Sequence, residues 1–399
     1  MGTSKANSAM IMTTNSFPYT YKPLFDFFPQ GLYKKAVSQK IYPKALLEPG
    51  VLKYTIEWLK ANKPFEDQIK MDRLNQLNNQ LIKDIIAPNG DINPSDVEYE
   101  EKGNYANIYN LPSSKVANFR ENQVKKFILK EFYEFQDVQE KIQSEHPEVN
   151  GIDEFNLCLY EPLGRLDSYK MSNALYKYLK KQSNFESYMG YELESFNHDK
   201  KKYIESLTIQ QAASHKTIEG DEFYICTGPQ TPVLFANKLN KTIPIVPIKG
   251  YSFEFKMKSV QRHTHLKWPQ LGVVASYMGN DIIRFSGFGD IAGSDYQIDR
   301  KRMDYLKSIA AKFYGDDVIY NHSFNEWCGL RPCTPDDMPL VGLLRPFKNL
   351  LMNTGHGGRG ITQGFATSKI LADWNTQKGL DEDFANNYLK PFSPDRFNQ

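Results

Sequence analysis

The sequence predicts a mixed chain, part α/β and part α+β, on three observations. Its 399 residues are about the length of two ordinary domains. The run from Asp221 to Gly228 (DEFYICTG) is apolar between turn signals and does not alternate, as in a strand buried on both faces of a parallel sheet. Residues 244–251 and 271–289 read instead as strands of an antiparallel sheet.

Taken in order, the first third is helical. Residues 45–62 place Leu52, Ile56 and Leu59 at helical spacing, and 66–86 repeat the pattern with Ile69, Leu74, Leu77, Leu81 and Ile85 before Pro-Asn-Gly. A polar stretch over 88–104 leads into short strands at Val97–Tyr99 and Ile108–Tyr109, and 113–132 forms an amphipathic helix. Gly164-Arg165-Leu166-Asp167 precedes a helix over 168–181 with Leu175 and Leu179 on one face. The last third closes with a strand at Leu350–Asn353, a glycine loop, and a helix over about 361–377. No internal repeat of solenoid or propeller length is present.

Composition narrows the function classes. The formal net charge is +2, so charge does not call for nucleic acid or an acidic membrane. A 40% apolar and 13% aromatic content supports packed cores and excludes a disordered chain. No run of about 18 apolar residues predicts a spanning helix. The start lacks a secretory apolar segment, and Ala6 stands where a myristoylation signal needs Ser or Thr. The expected setting is cytoplasmic, or peripheral at the inner face of a membrane. Cys158, Cys226, Cys328 and Cys333 read as buried thiols rather than a disulfide or zinc framework. His263 and His265 have metal-ligand spacing on a strand but cationic neighbours, Arg262 and Lys267, and read as a solvated connection; no metal is expected.

Two segments carry candidate chemistry. Gly355 to Gly360 (GHGGRG) matches GxGxxG between a strand and a helix. No second parallel strand with an acidic residue follows, as a dinucleotide unit requires. Helix-start amides for an electron-rich ligand atom, or a purely structural turn, remain the other readings. Arg331 precedes Pro332, which biases it to extended backbone, and suits either bidentate capture of a carboxylate or an ordinary ion pair. Thr227-Gly228, at the carboxyl end of the apolar strand, is a further contact point.

These segments resemble one family. Phe223–Gly228, Pro247 to Tyr251 (PIKGY), Trp327 to Asp336 (WCGLRPCTPD), Pro339 to Gly342 (PLVG) and Asn353 to Gly358 (NTGHGG) are similar to motifs of the FAD-dependent D-amino-acid dehydrogenases, within the wider family of D-amino-acid, glycine and sarcosine oxidases. Thr3 to Asn7 (TSKAN) resembles the loop after that family's first FAD-binding unit, and Phe392-Ser393-Pro394 its tail. The likeness covers essentially the whole chain, strongly after 220 and loosely between 85 and 215.

The resemblance implies an FAD-binding Rossmann-like domain (1–87, 152–242 and 329–399) interleaved with an antiparallel-sheet substrate domain (88–151 and 243–328). It implies FAD as cofactor, held by Ser4, Ala6, Asn7, Thr227, Gly228, Gly355, His356, Gly357, Gly358 and Gly360. It implies oxidative deamination of a small D-amino acid to a 2-oxo acid and ammonia, with electrons passing to a quinone-type acceptor. Arg331 would hold the substrate carboxylate, with Tyr251 and Tyr277 as substrate-contact candidates and His356 as a structural donor. A glycine or sarcosine oxidase, and a non-catalytic remnant of the fold, are the alternatives.

Four departures from the family pattern stand out. Asp337 replaces the glycine that usually follows Thr-Pro-Asp, which predicts a strained turn. Arg359 adds a cation to the flavin loop, set either for a more acidic substrate or for solvent. Leu271-Gly272-Val273 stands where a tyrosine is usual. The family's opening strand, GxGxxG turn, helix and second strand are not in the sequence. The resemblance therefore implies a truncated Rossmann unit, through a start assigned too late, a decayed gene, or a separate chain or upstream segment that supplies it.

Overall fold

The computed structural model describes residues 3–12, 38–60, 64–87, 90–117, 131–257, 264–376 and 389–397. The strands are β1 (Met10–Met12), β2 (Glu100–Tyr109), β3 (Glu131–Glu134), β4 (Leu157–Arg165), β5 (Glu192–His198), β6 (Ile204–Gln211), β7 (Ser214–Glu219), β8 (Phe223–Ile225), β9 (Val246–Lys256), β10 (Thr264–Trp268), β11 (Val273–Tyr277), β12 (Ile282–Ile291), β13 (Phe324–Cys333), β14 (Leu340–Leu343) and β15 (Leu350–Thr354). The helices are α1 (Val51–Lys60), α2 (Pro64–Ile85), α3 (Phe135–Glu145), α4 (Ser168–Leu179), α5 (Thr231–Leu239), α6 (Arg300–Tyr314), α7 (Asp316–His322) and α8 (Gly360–Thr376).

Among the described residues the largest sheet runs β1-β4-β2-β10-β11-β12-β9-β13, with β3 also on β4, and of these pairs only β10–β2 is parallel. Alternation along its strands divides it into two faces. Tyr251, Phe253 and Phe255 of β9, Val273 and Ala275 of β11, and Ile283 and Phe285 of β12 pack with Met303, Leu306 and Phe313 of α6 in one core. The other face of these strands presents Ser252, Glu254, Ser276, Arg284 and Ser286, cross-strand neighbours of one another. A second sheet, β14-β15-β8, joins β15 to β8 in parallel, as the apolar run predicted. Here α8 packs on α2 through Met71, Leu74, Ala366 and Ile370. The third sheet, β5-β6-β7, rests Phe196 and Ile204 against Phe223 and Phe235.

The helices expected over 45–62, 66–86, 168–181 and 361–377 correspond to α1, α2, α4 and α8. The N-terminus of α4 is fixed by Asp167, whose side chain accepts the Lys170 N–H. Expectations are corrected at five places. Pro94–Val97 is a 3-10 turn closed by Glu98 in the left-handed region, not the start of a strand, because Asn93 caps it from the side chain. Of the helix expected over 113–132, residues 113–117 are helical, 118–130 lie outside the described residues, and 131–132 begin β3. His265 is buried and its Nδ1 takes the Tyr277 N–H, so it is a core histidine rather than a solvated one; His263 lies outside the described residues. Cys158, Cys328 and Cys333 are buried free thiols, but Cys226 is exposed. β4, expected inside the FAD-binding segment 152–242, pairs with β2 and is a strand of the large sheet.

Candidate active site

Parallel pairing of β8 with β15 brings two loops side by side at the carboxyl ends of the strands, Thr227-Gly228 and Gly355–Gly360. Thr231 Oγ1 ties the first loop down by donating to the Gly228 carbonyl at 2.7 Å and lies 3.3 Å from Thr354 Oγ1 on β15. The polar face of the large sheet approaches from the other side. It holds the backbone of residues 6–8 by their carbonyls: Ser252 Oγ donates to Ala6, Arg284 Nη1 to Asn7 and Ser276 Oγ to Ser8, while Ser168 Oγ at the start of α4 donates to the Ser4 carbonyl. Arg284 is itself fixed by Glu254 at 2.7–2.8 Å.

Between these walls lies a cavity of about 2120 Å³. Ser4, Ala6, Asn7, Thr227, Gly228, His356, Gly357, Gly358, Gly360, Arg331 and Tyr251, drawn from five separate stretches of sequence, all border it. Gly355 does not; at φ +77° it supplies the turn behind the loop, against Thr334 and Leu340. Tyr277 also lies elsewhere, and its expected substrate contact is corrected. It occupies the helix-facing register of β11, where its hydroxyl bonds Glu148 and lies 3.2 Å from the Tyr314 hydroxyl. Tyr251 borders the cavity, but its ring meets Phe288 edge-on and its hydroxyl is buried without a hydrogen-bond partner among the described residues. Burial, with Asp290 and Asp299 nearby, holds that phenol well above its ordinary pKa, so it stays neutral.

Arg331 projects from the cavity face of β13, in register with Ile248. Gly250 lies beside it: a Cβ built there would stand 2.6–2.8 Å from the guanidinium atoms, so the group spreads over bare backbone. A bulge in β12 between Gly287 and Asp290 puts Phe288 at φ +68°, and the Phe288 carbonyl accepts from Arg331 Nη1 at 2.8 Å. The described residues give Arg331 no carboxylate, which leaves guanidinium edge for a ligand. Two residues on either side of Gly329 the strand repeats the device. The Trp327 indole covers Gly329, whose Cβ would come within 2.0 Å of the ring, and Trp327 also borders the cavity. Trp327 and Arg331 thus stand on neighbouring glycines, for Gly329 and Gly250 are cross-strand partners.

The glycine loop is locked to β13. The Gly357 N–H donates to the Pro332 carbonyl at 2.9 Å, and Cys333 bridges His356. Beneath the loop, Arg359 Nη1 meets Asp337 Oδ2 at 2.6 Å, with side-chain exposures of 2% and 0%. The expectation that Arg359 meets solvent is therefore corrected: it is buried against the other departure from the family pattern, while still bordering the cavity. Asp337 does take the left-handed backbone foreseen for it, at φ +60°. Burial pushes His356 down to about 4, and its Nε2 lies 3.1 Å from Thr367 Oγ1, so the ring is neutral at physiological pH. Cys333 is pushed up to about 12 by burial and by Asp337, which keeps it an inert thiol.

A flavin ring fits this corner. A Cβ built on Gly228, Gly360 or Gly364 meets no atom within 4 Å, so the backbone there is open to a flat ligand. The first turn of α8 borders the cavity through Gly360, Ile361 and Gly364, where a helix has N–H groups without intrahelical acceptors.

Trp327, Gly250 and the carbonyl-holding side chains on the cavity face were not picked out from sequence. The Trp-x-Gly-x-Arg spacing, which puts all three on one face of a strand, is the signal that could have found the first.

The model of the FAD dependent oxidoreductase family matches residues 1–374. D-amino acid dehydrogenase of Vibrio atlanticus is 32% identical over 182 residues, 45% of this chain and 42% of that protein. The chain thus spans less than half the length of the curated relatives it matches. Two solved structures share the fold. Glycine oxidase from Bacillus cereus superposes with a TM-score of 0.65 at 14% identity, over 79% of this chain and 83% of that one. L-proline dehydrogenase from P. horikoshii gives 0.66 at 15% identity, over 86% and 87%. With a family match along nearly its whole length and a cavity that gathers the glycine loop, the Thr-Gly turn and Arg331, the chain belongs to the FAD-dependent oxidoreductase family.

Proposed function

We propose that this chain carries out the FAD-dependent oxidative deamination of D-amino acids to 2-oxo acids and ammonia, with electrons passing to a quinone-type acceptor. The observation that carries the reading is Arg331, spread over Gly250 with no carboxylate of its own among the described residues, inside the cavity that the glycine loop closes. The names of the curated relatives support the D-amino acid.

The chemistry a bound flavin supplies is acceptance of a hydride from the substrate Cα. Arg331 binds the carboxylate and fixes the direction of the Cα–H bond. The loop Gly355–Gly360 and the first turn of α8 offer N–H groups and positive potential where the flavin ring gains charge. Thr227 and Gly228 lie beside that loop, and residues 4–8 line the wall that faces it. Among the described residues, neither of the candidate side chains His356 and Tyr251 is set to act as a general base, and Glu326 at the cavity border is paired with Arg300 and Lys307. His356 is neutral and engaged with Thr367, and Tyr251 is a buried phenol. The amine therefore enters uncharged, and the imino acid that leaves is hydrolysed by water. Trp327 shields the substrate side of the cavity, and a Gln230–Tyr296 hydrogen bond spans its rim.

The test is reduction of the FAD-loaded chain by D-alanine without oxygen, followed by reoxidation with a quinone dye. Bleaching with D-alanine but not L-alanine, and rapid recovery with the dye, are expected. Rapid recovery with oxygen and release of peroxide would make the protein an oxidase instead. Arg331→Ala should lower kcat/KM by roughly 30- to 1000-fold, the equivalent of about 2–4 kcal/mol. Unchanged kinetics would remove the carboxylate role.

A further inference from the structure

One cation grips the bulge in β12 from behind. Phe288 turns its carbonyl to the cavity side, where it accepts from Arg331 Nη1, and its ring to the core under α6. Arg302, in the first turn of α6, is buried there. Its guanidinium carbon stands over the Phe288 ring, 4.1 Å from the centroid. Its Nε donates to Asp290 Oδ2 at 2.8 Å, and its Nη2 to Asp290 Oδ1 at 2.7 Å. One guanidinium thus holds residues 288 and 290 together across Gly289. The Tyr305 ring adds a stack on Phe288, with centroids 5.5 Å apart and planes 11° from parallel.

A bulky aromatic at φ +68° is strained, and such backbone persists only where its surroundings over-determine it. Besides the grip of Arg302, the Phe288 N–H donates to the Gly272 carbonyl and the Gly289 N–H to the Ser38 carbonyl. Asp290 is fixed as well, its Oδ1 accepting the Lys40 N–H at 3.0 Å. Neither Phe288 nor Gly289 has a partner in the register of β12 with β9. The strand gives up two ladder positions there, and the bulge supplies in return a carbonyl aimed at the cavity arginine. Arg331 has a long, flexible stem, and that carbonyl selects one orientation for it. Less freedom is then lost when a ligand carboxylate arrives. Arg302 itself does not border the cavity.

We propose that Arg302 is a positioning residue for Arg331: through the Phe288 carbonyl it fixes the cavity guanidinium in the orientation that receives a substrate carboxylate. The inference deepens the role given to Arg331 above and rests on it. The relay crosses the sheet, from the first turn of α6 through the bulge to the cavity. Arg302 acts in it by holding backbone, and no ligand atom meets it.

Propionate, the carbon skeleton of D-alanine without its amine, reads the carboxylate site without turnover. Two variants break the relay at different points. Asp290→Asn/Arg302→Met removes both charges together, so that neither is left buried alone, and the Asn oxygen still takes the Lys40 N–H. Phe288→Leu leaves the ion pair intact and removes the stacked ring. In calorimetric titrations of the FAD-loaded chain, each should raise the propionate Kd about tenfold. KM for D-alanine should rise as much, with kcat held within about threefold and FAD binding unchanged. In the Arg331→Ala background the same substitutions should leave kcat/KM where it is, since no guanidinium remains to orient. Wild-type values of Kd and KM in the variants overturn the positioning role. So does an equal loss of kcat/KM in the Arg331→Ala background, which would make the cause a general loosening of the sheet. An Arg331→Ala chain that binds propionate like the wild type refutes the carboxylate role itself, and the relay with it. Weakened binding in Arg331→Ala but in neither relay variant refutes the relay alone.

Discussion

The guanidinium of Arg331 occupies the space that a side chain at position 250 would need. Gly250→Ala demands no unusual backbone, so the added methyl moves the flexible end of Arg331 rather than the strand. KM for a D-amino acid should rise at least tenfold while the urea midpoint barely shifts, within about 1 kcal/mol of wild type. A large loss of stability with unchanged KM would show that the glycine serves packing alone. His356 makes a prediction of the opposite kind, on stability and not turnover. Its folded pKa of about 4 lies below its ordinary value of 6.5, so the unfolded chain binds the extra proton first as pH falls. Stability from this residue is complete above pH 6.5 and is lost as the pH falls towards 4, by about 3 kcal/mol at most. Denaturant titrations across that window should show the slope in the wild type and lose it in His356→Asn.

At the scale of elements, the lock between β13 and the glycine loop decides whether Arg331 and the start of α8 stay in register. Asp337 and Arg359 are its buried part. Removing one partner leaves the other charge buried without its counter-ion, at a cost of about 3–5 kcal/mol, whereas replacing both is far milder. Asp337→Gly and Arg359→Leu should each lower the unfolding free energy by that order. The double variant should recover most of it, since glycine is at ease at φ +60°. Additive losses in a double-mutant cycle would show that the pair is not coupled. The sequence made both residues conspicuous as departures from a family pattern, yet suggested a strained turn for one and solvent or substrate for the other. Their pairing was illegible because it joins a turn and a loop 22 positions apart through burial, which no local spacing encodes. α8, β15 and the Thr-Gly turn were legible for the converse reason: period, glycine placement and a doubly buried run are local signals.

For the whole molecule, the same contrast separates what was read from what was not. The parallel pairing of β8 with β15 followed from one unalternating run, and the antiparallel sheet from two segments. Tyr277 was misassigned because a tyrosine's sheet face depends on register, and a shift of one residue exchanges cavity for core. Leu52, Ile56 and Leu59 of α1 were visible in the sequence as an amphipathic period, but they face outward, and the side of a helix that meets protein can be told only from the packing. The grip on residues 4–8 has a further consequence, for synthesis. Their partners Ser252, Arg284 and Ser276 lie 246 to 277 positions later in the chain. At about 5–20 residues per second, a ribosome takes roughly 12–55 s to deliver them. For that interval the segment that forms one wall of the cavity lacks three of its four side-chain holds, with Ser168 alone delivered earlier, so the site is among the last parts of the nascent protein to close.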